Sequence, residues 1–396
     1  MKTPKTRRVL SLSTLFPNPA QPRFGIFVAR SLEALQRDTQ WDVTVINPIG
    51  LPPVAMGRYR ELAAAAQDSE EFGISIHRPV FRLIPKIGGR LNPALIARAV
   101  LPLVRQLHGQ NPFDLVDAQF FYPDGPAAMM IARDLGLPFT VKARGSDIHH
   151  WGARRYGRDA LLKTARAASG VLAVCKALAD DMAMLGMERE KIRVHYTGLD
   201  RDLFRPMDHA GLRARLAQTF DVPLTNDDLL LVTVGALIER KGQALVIKAL
   251  AHLPKGRLLL IGKGEDRASL LALARDVGVA DRVHMLGSLD PAVLPPLLSA
   301  ADAMVLPSAS EGLANAWIEA LACGTPIVIT DAGGAREVVT TPDAGVIVAR
   351  NCRAVREGIE LVTARPRSPE KVAAAVDEFS WAANGKALAA YYDTLV

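Results

Sequence analysis

Short apolar segments alternate with amphipathic segments along most of the 396-residue chain. Apolar residues recur at helical spacing in the amphipathic segments, whereas the short apolar segments suit buried strands. The candidate strands are 9–15, 42–48, 74–81, 114–119, 138–143, 170–175 and 191–196 in the first half, and 229–234, 257–261, 283–286, 303–306, 326–330 and 345–349 in the second. The candidate helices of the first half are 25–37, 93–108, 125–135, 158–168 and 176–185. Strands that alternate with helices predict an α/β fold, with parallel sheets covered on both faces.

The chain length favours two domains over one, because a single core rarely grows to this size. The segment HYTGLDRDLFRPMD has the glycine, proline and charges of a linker, and we place the hinge near 198–206. Ligands of open α/β sheets bind at the carboxyl ends of the strands, so two such domains facing each other would form one cleft. The last segment predicts a helix with apolar residues along one side, namely Trp381, Leu388, Tyr391 and Tyr392.

Two carboxylates lie eight positions apart directly after the candidate strand 303–307, in the sequence EGLANAWIE. A helix that begins near Gly312 to Asn315 would direct backbone N–H groups and the positive end of its dipole at a phosphate. Glu311 would lie just outside this helix and Glu319 within it. Each carboxylate can accept hydrogen bonds from both hydroxyls of a vicinal diol, so the pair could hold a hexose and a ribose. The alternative is two solvated helix glutamates.

This stretch has several companions along the chain. In the second half they are VGALIERKG (234–242), LLLIGKGEDRASLL (258–271), RVHMLGSLD (282–290) and ALACGTPIVITDAGGAREVV after the second glutamate. In the first half they are FPNPAQPRFGIFVARSLEAL (16–35), VKARGSDI (141–148), AVCKALADDM (173–182) and TGLDRDLFRP (197–206). In this order and spacing they resemble the family-four retaining glycosyltransferases, also called glycosyl transferases group 1. The resemblance covers nearly the whole chain.

The resemblance implies the GT-B fold, in which two Rossmann-like domains with parallel sheets face each other across a cleft. Residues 1–200 would form an acceptor-binding domain, on which the helix 380–396 packs back, and residues 201–379 the nucleotide-sugar-binding domain. The implied reaction moves a hexosyl group from a nucleoside diphosphate sugar to a hydroxyl of a glycan or lipid-linked acceptor, with retained anomeric configuration. Cell-surface polysaccharide biosynthesis is the implied setting. The nucleotide sugar is a co-substrate, and no cofactor or metal is expected.

The resemblance also implies roles for the charged residues. Lys241 would neutralise the departing diphosphate, Glu311 would hold hexose hydroxyls, and Glu319 would hold the ribose. The family pairs that lysine with an arginine directly after the glycine that ends the strand, but here this position is Ala236. Arg240 stands one place before the lysine, and it either supplies the second charge or points the other way.

Further donor-binding residues follow from the same resemblance. They are Gly25, Gly235, Gly262, Gly264, Arg282, Val283, Gly312, Leu313, Ala314 and Asn315. Arg144 stands where many members have a histidine beside the donor sugar, and we include it among the catalytic residues. Asp147 completes this set, because it could orient an acceptor hydroxyl, although it could equally cap a helix.

Charge is distributed unequally between the two halves. Residues 1–205 hold 29 Lys and Arg against 19 Asp and Glu, a net of +10, whereas residues 206–396 hold 19 against 22, a net of −3. A basic half attracts anionic lipid, a diphosphate-linked acceptor or nucleic acid, and the absence of a nucleic-acid-binding motif excludes the last. Within it, the segment HRPVFRLIPKIGGRL (77–91) mixes basic and apolar residues and predicts contact with an anionic membrane surface or a lipid diphosphate. An ordinary strand and loop is the alternative.

Several features predict a cytoplasmic protein that touches a membrane only at its inner face, as a peripheral protein. Three well-separated cysteines, Cys175, Cys323 and Cys352, suit a reducing compartment. The N-terminal segment begins basic, but its apolar part is short and broken by serines, so we interpret it as a first strand instead of a signal peptide. No run of about eighteen apolar residues occurs.

Three other functions compete with glycosyl transfer. A nucleotide-sugar epimerase would need acid and base residues around one sugar, and no such group stands out. A nicotinamide oxidoreductase would need G-x-G-x-x-G in the first turn, where the chain has FPNPAQPRFG. A nucleotide-sugar-binding protein with weakened catalysis stays open because of Ala236. A D-x-D sequence at 200–202 resembles the metal motif of other glycosyltransferases, but it falls in the linker, so we expect catalysis without a metal.

Overall fold

The computed structural model of the protein describes residues 6–84, 88–208 and 211–396, and the chain divides into two compact units. Unit 1 comprises Met1–Gly198 together with Trp381–Val396, and unit 2 comprises Leu199–Ser380. Among the helices of the described ranges, none has the length and hydropathy needed to cross a membrane.

Unit 1 contains an eight-stranded sheet with the spatial order β10-β9-β8-β7-β1-β2-β5-β4. Its strands pair in parallel except β4, which runs antiparallel to β5, while β3 and β6 form a separate parallel pair. The strands are β1 (Arg7–Leu12), β2 (Trp41–Ile46), β3 (Ile49–Leu51), β4 (Ser69–Glu71), β5 (Ile74–His77), β6 (Val80–Arg82), β7 (Leu115–Ala118), β8 (Phe139–Ala143), β9 (Gly170–Ala173) and β10 (Ile192–Val194). The strand order reverses between β1 and β7, which is where such sheets bind ligands.

Eight helices belong to the described part of unit 1, and the last of them comes from the C-terminus. They are α1 (Ile26–Asp38), α2 (Arg58–Ala64), α3 (Asn92–Gln110), α4 (Asp124–Leu135), α5 (Ser146–Gly152), α6 (Arg155–Ala167), α7 (Lys176–Leu185) and α16 (Trp381–Asp393). Helix α16 packs closely on α1 at Gly385. A Cβ built on this glycine would lie 2.6 Å from the carbonyl carbon of Ala34. Asn384 adds a hydrogen bond from Ser31 Oγ at 2.6 Å and donates to the Tyr196 carbonyl at 2.6 Å.

Unit 2 contains a six-stranded parallel sheet with the order β13-β12-β11-β14-β15-β16. Its strands are β11 (Leu229–Val234), β12 (Gly256–Ile261), β13 (Val283–Gly287), β14 (Ala303–Leu306), β15 (Ile327–Thr330) and β16 (Gly345–Val348). Its helices are α8 (Leu212–Phe220), α9 (Gln243–Leu250), α10 (Arg267–Asp276), α11 (Leu294–Ala300), α12 (Asn315–Ala322), α13 (Ala335–Val338), α14 (Cys352–Thr363) and α15 (Pro369–Ala373). This is the doubly wound order of dinucleotide-binding folds, with its reversal between β11 and β14.

The strand pattern predicted from hydrophobicity is confirmed for most elements, with one error of interpretation. The segment 74–81 is not one strand, because β5 ends at His77 and β6 begins at Val80 in a different sheet. Pro79 lies between the two strands and lacks the N–H that a continuous ladder needs. The pattern missed β3 and β4, which have three residues each and are too short to show periodicity.

Candidate functional site

The loops that follow β11, β12, β14 and β15 pack directly against one another at the carboxyl edge of the unit 2 sheet. A Cβ built on Gly262 would lie 1.9 Å from the Gly235 carbonyl oxygen, and one on Gly264 would lie 2.1 Å from the Leu237 carbonyl oxygen. A Cβ on Gly333 would lie 2.2 Å from the Gly312 carbonyl oxygen. Glycine is therefore needed at these positions for backbone contact alone, and the contacts bring the predicted glycine loops together.

A charged cluster lies among these loops. Lys241 Nζ donates to Glu311 Oε1 at 2.5 Å, and both side chains are largely buried, with 13% and 8% exposed. Arg240 Nη1 lies 3.5 Å from the other carboxylate oxygen and also donates to the Ser310 carbonyl. Two cations thus converge on one carboxylate. Of the two orientations left open for Arg240, the structure shows the one directed at Glu311.

Arg350 was not singled out from the sequence, yet it lies at the same edge, two positions after β16. Its Nε donates to the Pro307 carbonyl at 3.1 Å, and its Nη2 donates to the Glu239 carbonyl at 3.0 Å. The side chain therefore ties the loop after β14 to the loop after β11. Its position after a carboxyl-terminal strand end is the signal that could have identified it.

Helix α12 begins at Asn315, so Glu311 lies outside it and Glu319 within it, as the sequence predicts. Ala314 occupies the N-cap and provides no side-chain cap, so the backbone N–H groups of the first turn depend on other partners. The segment Gly312, Leu313, Ala314 and Asn315 therefore has the geometry of an anion-binding helix start.

Glu319 is partly buried one turn further along α12. Desolvation raises the pKa of its carboxyl to about 7, from an ordinary value of 4.5. No hydrogen bond to this carboxylate comes from the residues that the structure describes. A group that is both desolvated and uncompensated is a candidate for ligand contact.

Arg282 and Val283 lie away from this cluster. Val283 begins β13, so both residues are at the amino edge of the sheet, opposite Lys241 and Glu311. Arg282 Nη1 donates to the Leu253 carbonyl at 2.7 Å and to the Gly256 carbonyl at 3.1 Å. These bonds account for Arg282 as an anchor for the connection between α9 and β12. The position of Arg282 does not agree with direct contact to the donor. The part of this segment that lies at the carboxyl edge is the loop after Gly287.

In unit 1, Gly25 and Arg144 lie at the carboxyl edge, after β1 and β8. Gly25 has φ of +71°, and a Cβ there would lie 2.3 Å from the Leu15 carbonyl oxygen, so the turn into α1 requires glycine. The Arg144 guanidinium lies over the Phe27 ring at 4.8 Å, and burial lowers its pKa to about 10. The predicted roles of Gly25 and Arg144 toward a substrate stay predictions.

Asp147 is fully buried in the first turn of α5. Its carboxylate accepts hydrogen bonds from the backbone N–H groups of Phe121 at 2.8 Å, Arg144 at 3.0 Å and Ile148 at 3.1 Å. Burial raises the pKa of this carboxyl in spite of these bonds. Asp147 therefore ties together the backbone around the start of α5, although the N-cap of this helix is Gly145 and has no side-chain cap. A role toward an acceptor hydroxyl stays a prediction.

Unit 1 also has a cavity of about 280 Å³ beside the turn into α1. Its lining is mostly apolar and aromatic, with a few polar groups and one arginine: Thr14, Asn18, Gln21, Phe24, Pro48, Ile49, Gly50, Arg58, Tyr59, Leu62, Phe81, Leu83 and Pro123. Arg58 lies over the Tyr59 ring at 5.0 Å. An apolar pocket with a few polar groups is the usual form of a small-molecule site.

The D-x-D sequence forms part of a turn. The Asp200 carboxylate accepts from the Leu203 N–H at 3.1 Å, and its carbonyl accepts from the Phe204 N–H at 2.8 Å. Across the described ranges, no group of three or more His, Cys, Asp or Glu side chains has the arrangement of a metal site. Catalysis without a metal stays a prediction.

Two sequence models of protein families match the chain. The Glycosyltransferase Family 4 model matches residues 24–203, and the Glycosyl transferases group 1 model matches residues 215–378. The chain belongs to glycosyltransferase family 4. As a member, it is a glycosyltransferase, and the resemblance inferred from its motifs is confirmed.

The relatives agree with this family. The chain is 28% identical over 367 residues to the putative teichuronic acid biosynthesis glycosyltransferase TuaC of Bacillus subtilis, covering 89% of this chain and 88% of TuaC. The sucrose-phosphate synthase of Thermosynechococcus elongatus superposes with a TM-score of 0.80 at 20% identity, covering 98% of this chain and 99% of that one. HepE of Anabaena, in complex with UDP-glucose, superposes with a TM-score of 0.71 at 20% identity, covering 98% of this chain and 99% of HepE. These structures confirm the GT-B fold for this family member.

Proposed function

We propose that this glycosyltransferase moves a hexosyl group from a nucleoside diphosphate sugar to a hydroxyl of a glycan or lipid-linked acceptor, with retained anomeric configuration. The observation that carries the proposal is the convergence of Lys241 and Arg240 on Glu311 beside the start of α12. Cations and an uncapped helix start suit a diphosphate, and a carboxylate between them suits sugar hydroxyls. The complex of HepE with UDP-glucose supports the choice of donor.

In this proposal, the cluster stabilises the leaving group. Negative charge grows on the departing phosphate as the glycosyl carbon gains oxocarbenium character. Lys241 exchanges its contact with Glu311 for one with the phosphate, and the freed carboxylate accepts hydrogen bonds from the hexose. Fixed cations and aligned N–H groups stabilise the developing charge more than the ground state, which is how they accelerate the step. These groups already compensate the diphosphate charge, so we propose that no divalent metal is needed.

The two glutamates divide the donor between them. Glu311 contacts the transferred hexose, whereas Glu319 contacts the ribose, which remains on the product nucleotide. Glu311→Ala should therefore lower turnover with little effect on the affinity for a free nucleoside diphosphate. Glu319→Ala should weaken that affinity. Calorimetric titration of both variants measures the difference, and equal losses of affinity contradict the division of roles.

For the acceptor, we propose the cavity in unit 1. Its apolar and aromatic lining suits the lipid part or a sugar ring of an acceptor, and Arg58 suits a phosphate at its mouth. Tyr59→Ala should raise the KM for an acceptor and leave donor hydrolysis unchanged. The name of TuaC, which assigns it to teichuronic acid biosynthesis, supports cell-surface polysaccharide biosynthesis as the setting.

We further propose peripheral contact with the inner face of the cell membrane near this cavity. Val54, Met56 and Val80 are 69%, 67% and 48% exposed there, and Arg58 and Arg82 are exposed as well. Basic residues near an anionic surface contribute about 1 kcal/mol each. Arg82→Ala should weaken salt-sensitive sedimentation with anionic vesicles, whereas Arg353→Ala in unit 2 should not.

The prediction for the segment 77–91 needs one correction, and one of its residues is not described. Arg78 is buried and donates to the Gln67 carbonyl and to Ser69 Oγ, both at 2.8 Å, so it does not reach a membrane. Lys86 lies outside the described residues. The exposed basic residues of this segment that the structure describes are Arg82 and Arg90.

A panel of nucleotide sugars tests the proposed function. The native protein should release nucleoside diphosphate slowly from its matching donor, and Lys241→Ala should lower this rate by about 10²–10³. Lys248→Ala, a change at an exposed lysine of α9, serves as the matched control and should retain the native rate. Nucleotide binding without release from any donor would instead support the rival with weakened catalysis.

A further inference from the structure

Polar side chains on three neighbouring strands lie buried at the centre of the unit 1 sheet, where apolar side chains would be expected. Asp117 on β7 is fully buried between two hydroxyls from the neighbouring strands. Thr140 Oγ on β8 donates to its Oδ1 at 2.8 Å, and Ser11 Oγ on β1 donates to its Oδ2 at 3.1 Å. The side-chain amide of Gln119, two residues further along the chain, also donates to Oδ2.

Gln119 connects this carboxylate to Arg144. Arg144 Nε donates to the Gln119 carbonyl oxygen at 2.7 Å, and Nη2 donates to the Gln119 side-chain oxygen at 2.6 Å. An arginine can only donate, so Gln119 must present its oxygen to Arg144 and its NH₂ group to Asp117. Asp117 can only accept when ionised, so the orientation of the Gln119 amide is determined from both sides.

We propose that Gln119 is a positioning residue that holds the Arg144 guanidinium in the direction needed for the reaction, with Asp117 orienting the Gln119 amide. Two parallel acceptors fix the plane of the guanidinium, and Phe27 on α1 covers one of its faces. Nη1 makes no hydrogen bond within the part of the chain that the structure describes, so it is the group left for a substrate. This inference rests on the proposed function and on the role that the family resemblance implies for Arg144 beside the donor sugar.

The energetic cost of the arrangement argues for a role beyond stability. Burial raises the pKa of the Asp117 carboxyl, so its charged form is unfavourable at this site. A buried charge that is not ion-paired generally costs more than an apolar side chain of similar volume. Asp117 has no direct ion pair with Arg144, because Gln119 lies between them. The chain therefore keeps a costly group, and one of its contacts orients the Gln119 amide that holds Arg144.

A double-mutant cycle of Gln119→Met and Arg144→Ala tests the effect on the reaction. In the native background, Gln119→Met should lower kcat by about ten- to a hundredfold with little change in KM, the range expected for a hydrogen bond to a charged group. In the Arg144→Ala background it should have no further effect, since it acts through Arg144. Equal losses in both backgrounds would overturn the proposal. Thr233→Val, which removes one buried hydrogen bond in unit 2, controls for lost stability and should retain kcat.

NMR of the Arg144 side chain tests the positioning without relying on turnover. The ¹⁵Nε–¹Hε resonance, assigned by its loss in Arg144→Lys, should show slow solvent exchange in the native protein and fast exchange in Gln119→Met. Thr233→Val, which removes a buried hydrogen bond in unit 2, should retain slow exchange. Slow exchange in the folded Gln119→Met variant would overturn the proposal. If Gln119→Met loses this protection while the native protein turns over no donor, the proposed function is contradicted and the positioning is still supported.

Discussion

Replacing Glu319 with glutamine should stabilise unit 2 at alkaline pH while weakening nucleotide binding. Burial raises the pKa of this carboxyl to about 7, and desolvation is the cause. The ordinary value of 4.5 applies to the unfolded chain. Between these two values the folded protein holds a proton that the unfolded chain has lost. The folded state therefore loses stability as the pH rises from about 4.5 to about 7, and the penalty stays constant above that.

The size of the effect follows from the difference between the two pKa values. One pKa unit corresponds to about 1.4 kcal/mol, so ionising Glu319 costs the fold up to about 3 kcal/mol at pH 8. Glutamine has nearly the same volume and carries no charge, so Glu319→Gln should recover most of this free energy at pH 8 and almost none at pH 4.5. The carboxylate is kept in spite of its cost because, in our account, the ionised form accepts both ribose hydroxyls.

Chemical unfolding of the native protein and of Glu319→Gln across pH 4.5–8.5 measures the stability difference. Trp317 is fully buried in the same helix and is the single tryptophan of unit 2, so fluorescence reports on this unit in a background where Trp41, Trp151 and Trp381 of unit 1 are phenylalanine. Glu311→Gln is the matched control, because it removes an ion pair with Lys241 and should not stabilise at alkaline pH. A pH-independent difference between the native protein and Glu319→Gln would refute the reasoning. In parallel, native affinity for a nucleoside diphosphate should fall about tenfold from pH 8 to pH 6, as Glu319 becomes protonated.

Three further predictions concern other parts of the chain. Arg240→Ala should lower turnover about tenfold, and adding Ala236→Arg should restore part of it, because the second cation then reaches the same carboxylate; no rescue in steady-state kinetics would contradict this role. Gly385→Val should destabilise unit 1 by about 1–3 kcal/mol, since the added atoms meet the α1 backbone, and thermal unfolding that matches the native protein would be the contrary result. Excess EDTA and Asp202→Asn should both leave turnover unchanged, whereas loss on chelation with recovery on adding Mg²⁺ or Mn²⁺ would reinstate the D-x-D motif as a metal site.

The parts of the fold that the sequence predicts are those with strong local patterns. The alternation of buried strands and amphipathic helices recovers both parallel sheets, and the start of α12 follows from the strand 303–306 and the glycine that comes after Glu311. Strand order depends on contacts between distant segments, so periodicity could not predict it. The break at Pro79, by contrast, was visible in the sequence, because proline interrupts a ladder.

The site is predicted where a residue type and its place after a strand both indicate a role. Lys241 and Glu311 meet these conditions, and they are paired in the structure. Arg282 matches a motif but precedes β13. The direction of that strand places it at the amino edge of the sheet, opposite the site. Gln119 has no motif at all, since its contact with Arg144 joins the ends of β7 and β8, which are neighbours only in the folded sheet.

The anomeric configuration of the transferred sugar tests the central claim most directly. Once a donor and an acceptor are found, ¹H NMR during the reaction can follow the anomeric proton of the product. We predict that the first-formed product has the same anomeric configuration as the donor, and that Lys241→Ala slows its formation by about 10²–10³. Inverted configuration, or transfer at the native rate by Lys241→Ala, would contradict the account.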